Sequence, residues 1–128
     1  MPIDVIVPDA DRKTYEAWRY APAVRHDDLV FLSGVIGKGA SVADEFRDAW
    51  INIGRILGEA GLGYADIVEL TIYMIGLRAN AAEMAKAKDE FLSAPYPAST
   101  WIGVSELIRS GARAEIRVIA RVPPGGQG

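Results

Sequence analysis

At 128 residues the chain is long enough for one domain with a real core and too short to expect two. Half of it is apolar and 24% charged, and a net charge of −3 with scattered basic residues argues against nucleic acid or an anionic membrane as partner. There is no cysteine, which excludes disulfides, thiolate metal sites and a cysteine nucleophile, and the single His26 cannot build a multi-histidine metal site.

Asp4 to Val7 is a short apolar run stopped by Pro8 and reads as an edge strand. Asp9 to Lys13 is polar and turn-like, and an aromatic segment, Tyr15-Glu16-Ala17-Trp18-Arg19-Tyr20, runs on to Pro22. Leu29 to Ser33 carries a strand signal: Val30 and Leu32 point one way, Leu29, Phe31 and Ser33 the other. Gly34, Gly37 and Gly39 end it in a loop. Ser41 begins the first helix, with Asp44 in a capping-box-like position, and Phe46, Trp50, Ile53, Leu57 and Ala60 form its apolar stripe. Gly61 stops it.

Val68 to Ile75 is the clearest strand. Ala81 to Leu92 reads as a second helix carried by Met84, Ala85, Lys88 and Phe91, broken by Ala94-Pro95-Tyr96-Pro97. Thr100 to Val104 and Ala114 to Val122 are the last strands. A further strand could form around Val24 or Val35. The result is an α+β fold: a single sheet of five or six strands with two helices on one face. Residues 1–123 make one domain, and the Gly/Pro tail 124–128 is expected to be flexible. The uncovered sheet face would carry Phe31 and Tyr73 or Trp101, an apolar surface of the kind that marks a partner, so a homo-oligomer is expected. The N-terminus lacks the order of a signal peptide and no apolar run reaches membrane length, so a soluble, cytoplasmic protein with no membrane partner is expected.

The residue most suggestive of chemistry is Glu115, an acid inside Ala114-Glu115-Ile116-Arg117-Val118-Ile119-Ala120. If Ile116, Val118 and Ala120 face the helices, Glu115 shares the other face with Arg117, Ile119 and Arg121. It is then either paired with a neighbouring arginine or placed at a cleft as a base that orients a water. Ser33 could satisfy local backbone or hold a small ligand; no base is placed beside it for a serine-hydrolase triad. Arg19, between aromatics beside Tyr20, suits carboxylate binding, while Trp18 and Tyr15 read first as core or interface plugs. Ser99 and Thr100 are unremarkable at a strand start, and His26 reads as a solvated turn residue. The run Gly34-Val35-Ile36-Gly37-Lys38-Gly39 lacks the ending of a phosphate-binding loop and opens into no helix directly.

From Tyr20 to Pro123, the order of the strand Leu29 to Gly34, the Gly61-to-Ile67 turn, the Pro97 break and the Glu115-to-Ala120 strand resembles the Rid family of imine deaminases, also called YjgF. The Trp18-Arg19-Tyr20 segment and the Ile119-to-Pro123 ending look closest to its divergent YjgH-like branch. The resemblance implies a chorismate-mutase-like fold in a barrel-like homotrimer, with a small-molecule cleft at each subunit boundary and no cofactor or metal. It implies hydrolytic deamination of an imine or enamine, with Glu115 as the water-orienting acid and Tyr20 and Ser33 lining the cleft; Arg19, Ser99 and Trp101 are further candidates for binding substrate.

Ser99 stands where the deaminating members place the arginine that grips the substrate carboxylate. Losing such a charge-assisted pair costs about 2–5 kcal/mol in a desolvated site. Standard 2-iminobutanoate deaminase activity is therefore expected to be weak or absent. Two readings follow: a deaminase of altered specificity, with Arg19, Arg109 or Arg113 as relocated cation, or a non-catalytic trimeric metabolite-binding protein. An acidic chain without a basic groove does not suit ribonuclease activity, a role given to older family members.

Overall fold

Strands β1 (Asp4–Ile6), β2 (Ala23–His26), β3 (Leu29–Leu32), β4 (Ile67–Met74), β5 (Ala98–Gly103) and β6 (Ala114–Arg121) form one sheet in a computed structural model that describes residues 3–125. Their order is β1-β2-β3-β6-β4-β5, antiparallel throughout except for the parallel pair β4 and β5. Parallel neighbours need a crossover, and helix α3 (Leu77–Asp89) supplies it. Helix α2 (Val42–Glu59) connects β3 to β4. The further strand is β2, at Val24, whereas Val35 makes only an isolated bridge to Ile116.

The α2 cap forms as the sequence suggests, with the Asp44 amide donating to Ser41 Oγ at 3.1 Å. Phe46, Trp50, Ile53 and Leu57 are fully buried against Val30, Leu32, Leu70, Ile72, Ile116 and Val118. Each such side chain contributes about 1.5–3 kcal/mol through burial. The same alternation that buries Ile116, Val118 and Ala120 turns Glu115, Arg117, Ile119 and Arg121 to the opposite face. That face carries Val5, Val24, Phe31 and Ile119 in register across four strands, and Glu115, Tyr73 and Ile102 in another row. Leu29 and Ile102 are 39% and 40% exposed there.

Three expectations need correction. Arg12–Trp18 is a third helix, α1, preceded by a single 3-10 turn at Asp9–Asp11. It buries no residue, so it leaves no apolar stripe to read. The second long helix starts at Leu77 rather than Ala81, because Gly76 takes φ +60° and turns the chain directly into it. Its buried residues are Met84 and Ala87, while Ala85 is exposed. Trp101 is in register with buried Ile72, so it faces the helix layer and not the open face. Tyr73 is the aromatic on the open face, in the row of Glu115 and Ile102. Among the described residues no helix is long and apolar enough to cross a membrane. The tail expected at 124–128 lies partly outside the described residues.

Candidate functional site

The start of β6 is fixed by a buried acid. Glu45, in the first turn of α2, is 5% exposed. Its Oε2 accepts the Arg113 backbone N–H at 2.8 Å, and its Oε1 lies 3.4 Å from Arg113 Nη1. A buried carboxylate must be paired and hydrogen-bonded to be tolerated, and this pairing sets the backbone two residues before Glu115. Arg109 donates from Nη2 to the Gly37 carbonyl, tying the same loop to the glycine loop. Both arginines are thus committed to the fold.

Glu115 projects, partly buried, from the open face of the sheet, opposite Tyr73 on β4. Its carboxylate stands against Gly34: a Cβ at that position would run into Oε2 and come within 2.6 Å of Cδ. Only glycine leaves this space free. Among the described residues the ion pairs are His26–Asp27, Arg47–Glu90, Arg55–Asp11 and Arg113–Glu45, so Glu115 takes part in none. Of the two roles open to this acid, the pairing with a neighbouring arginine does not form among the described residues.

Gly34 also borders a cleft of about 350 Å³ whose walls include Tyr20, Ser33, Tyr15, Lys38 and Asn52. Ser33 ends β3 here; its Oγ donates to the Ala21 carbonyl at 2.6 Å and its N–H to the Pro22 carbonyl at 3.0 Å. With its proton given away, the Ser33 hydroxyl offers a ligand only lone pairs. Tyr20 follows Arg19, which caps α1 in the left-handed conformation at φ 58°. This turn sends Tyr20 back to the cleft and leaves Arg19 exposed, outside the cleft's walls.

Ser99 and Trp101 lie elsewhere. Leu70 and Ile72 are their register partners, so both point to the helix side of β5, an edge of the sheet. Trp101 Nε1 donates to Ser99 Oγ at 2.9 Å, and Lys88 Nζ of α3 stands 5.8 Å from the centre of the Trp101 ring. The chain therefore puts Tyr20, Ser33 and Gly34 on one cleft, sets Glu115 against Gly34 but not among that cleft's walls, and keeps Ser99 and Trp101 apart from them. No local sequence pattern marks Lys88 or Glu45 as a site residue. Lys88 falls in the expected helix stripe, and Glu45 reads as an ordinary solvated acid of a first turn.

Residues 12–122 match the family model described as Endoribonuclease L-PSP. The chain is 34% identical over 125 residues to the RutC family protein YjgH of Escherichia coli, which covers 92% of this chain and 94% of that protein. It is 30% identical over 108 residues to a 2-iminobutanoate/2-iminopropanoate deaminase of Dermatophagoides farinae, covering 78% of this chain and 83% of that one. The crystal structure of a YjgF-family member from Mycobacterium tuberculosis superposes with a TM-score of 0.84 at 28% identity, covering 94% of this chain and 100% of that one. Sheet order, strand-end glycine loop and the acid of β6 thus sit in a chain that belongs to the Endoribonuclease L-PSP family, also called YjgF or Rid, with YjgH among its relatives.

Proposed function

We propose that this protein is a Rid-type hydrolase that deaminates an imine or its enamine tautomer at a cleft shared between subunits. The observation that carries the reading is the Glu115 carboxylate, held against Gly34, which borders the cleft of Ser33 and Tyr20, and engaged in no ion pair among the described residues. A carboxylate in this position can take a proton from water as the water oxygen bonds to the imine carbon. The carboxylic acid returns that proton to nitrogen, giving the carbinolamine; the carboxylate then takes the hydroxyl proton and passes it to nitrogen as the C–N bond breaks, and ammonia and a carbonyl compound leave. Ser33 Oγ, its proton bound to Ala21, accepts the imine N–H.

Two features support the shared cleft. Ser99 and Trp101 project from the opposite face of the sheet to Glu115, so one subunit does not close a site containing them all. The apolar row Val5, Val24, Phe31 and Ile119 offers a surface for further copies of the chain, and the family resemblance supports a homotrimer. Because Ser99 carries no charge, turnover of 2-iminobutanoate itself is weak and specificity is altered. The family's descriptive name brings no ribonuclease activity here, since the open face mixes Glu69 and Glu115 with Arg117 and Arg121 instead of forming a basic groove.

Ammonia release is the test, using enzymatically generated 2-imino acids and a neutral imine. The unmodified chain accelerates release from at least one of them, and Glu115→Gln lowers that rate about 10²–10⁴-fold, the usual worth of a positioned acid–base group. The neutral Ser99 favours a second reading, a trimeric metabolite-binding protein without turnover. Absence of any Glu115-dependent release would establish that reading in place of the first.

A further inference from the structure

The cleft that Gly34 borders is walled by α1, α2 and the glycine loop, and a network of hydrogen bonds occupies most of its acceptors. Arg55 donates to both carboxylate oxygens of Asp11, at 2.8 and 3.3 Å, and from Nε to Asn52 Oδ1 at 3.2 Å. Asn52 Nδ2 and the Lys38 backbone N–H both donate to Asp48 Oδ2, at 3.2 and 2.8 Å. Asp48, Asn52 and Arg55 share one face of α2, so the network ties that helix to the glycine loop on one side and to the entry of α1 on the other. The charge of Arg55 is spent on Asp11, and Asp48 is already served by two N–H donors. The donors in the same wall are left over. The Lys38 ammonium and the Tyr15 and Tyr20 hydroxyls take no part in the network. Lys38 also belongs to none of the ion pairs among the described residues. A cleft with its donors free and its acceptors largely occupied suits a ligand that brings acceptors of its own.

We infer that Lys38, with the Tyr15 and Tyr20 hydroxyls, binds a carboxylate that the substrate carries on an arm away from its imine carbon. This rests on the deaminase reading above and narrows its substrate to an imine with a distal carboxylate, in place of one with the carboxylate on the imine carbon itself. Gly34 makes the arm's path: Glu115 stands against it on one side and the cleft opens on the other, with no side chain between. Lys38 is four residues further on, so it lies within about 14 Å of Gly34 even along a fully extended chain. The cleft's 350 Å³ is at the low end for small-molecule sites, about 300–1,000 Å³, and suits an arm of a few carbons. A carboxylate moved down that arm also lies further from the charge of Glu115, and their repulsion falls with the distance.

The experiment reads binding apart from turnover, with ketones that hydrolysis of the imines would yield. 4-Oxopentanoate, its carboxylate two methylenes from the carbonyl carbon, is titrated calorimetrically into the full chain. It is compared with 2-oxobutanoate, whose carboxylate adjoins the carbonyl, and with neutral butan-2-one. 4-Oxopentanoate is expected to bind most tightly, and added salt to weaken it. Lys38→Met lowers its affinity about fivefold or more, the upper range for a solvated ion pair, and Lys38→Arg retains it. Because Lys38 is exposed, the variant folds as before, which thermal unfolding checks. In the ammonia assay Lys38→Met raises KM for the imine of 4-oxopentanoate more than it lowers kcat. Three results overturn the assignment: no saturable binding of 4-oxopentanoate, equal affinity in Lys38→Met, or a preference for 2-oxobutanoate. Lys38-dependent binding without Glu115-dependent ammonia release upholds it and sinks the deaminase reading alone.

Discussion

Gly34→Ala separates the chemistry of the site from the stability of the fold. The new Cβ would collide with Glu115 Oε2 and lie 2.6 Å from Cδ and 2.7 Å from Cγ, against about 3.5–4.0 Å for ordinary carbon contacts. The carboxylate must therefore move by about 1 Å, which costs on the order of 100-fold in rate for a positioned group. At 1.36 kcal/mol per decade that is about 2.7 kcal/mol of barrier. The fold should hardly notice. The obstacle is the free end of a partly exposed side chain, and alanine stiffens the unfolded chain by about 0.4–1 kcal/mol in compensation. Thermal unfolding and ammonia release on the same preparations check both halves. In the double variant Gly34→Ala/Glu115→Gln the glycine change should add almost nothing, because both substitutions disable one group. Wild-type turnover by Gly34→Ala would refute the claim that Glu115 works from its place against Gly34. A variant that no longer folds would refute the claim that a mobile carboxylate absorbs the collision.

Two further outcomes follow from the packing. Glu45→Ala strips the acceptor from the Arg113 amide and leaves the guanidinium without its partner; breaking a buried pair costs about 3–5 kcal/mol. Because the Arg113 side chain is 36% exposed and can turn to water, about 2–3 kcal/mol is expected by urea unfolding, and a loss under about 0.5 kcal/mol, the range of ordinary surface changes, would show that Glu45 does not brace β6. Phe31→Glu puts a charge in the row Val5, Val24, Phe31, Ile119, so sedimentation should show dissociation to folded monomers; an unchanged assembly would place the subunit contact elsewhere.

What could be read from the sequence was whatever is written in a short period. Val30 and Leu32 against Leu29 and Phe31, or Ile116 and Val118 against Glu115 and Arg117, follow from alternation alone and come out as expected. So does the stripe from Phe46 to Leu57 behind its Ser41 cap. Helix α1 left no such trace, since none of its seven residues is buried. Trp101 escaped for another reason. Its facing depends on the parallel register with β4, which pairs it with Ile72, and register between strands is a tertiary fact. The site divides likewise. Glu115, Ser33 and Tyr20 could be nominated by residue type and resemblance, but what sets the carboxylate against Gly34 is a loop conformation. Glu45 and Lys88 act through partners 68 and 13 residues away in sequence, Arg113 and Trp101, and no local pattern reaches that far.

The two halves of the candidate site differ in kind, and that difference bears on how the protein would work. The half at Gly34 presents an acid, lone pairs and a phenol and can move protons, with Lys38 and Arg55 in the wall of the adjoining cleft; a carboxylate brought against Glu115 itself would meet its charge. The half at β5 presents a hydroxyl and an indole with Lys88 beside it, and has no base. They project from opposite faces of one sheet, so a single chain cannot close them on one small molecule. Bringing one subunit's β5 edge to another's Gly34 loop would close the open side of the acid. A distal carboxylate would then be drawn along the cleft to Lys38, away from Glu115, leaving the imine carbon near the acid. On this view association is part of the catalytic apparatus, and the apolar open face is what assembles it.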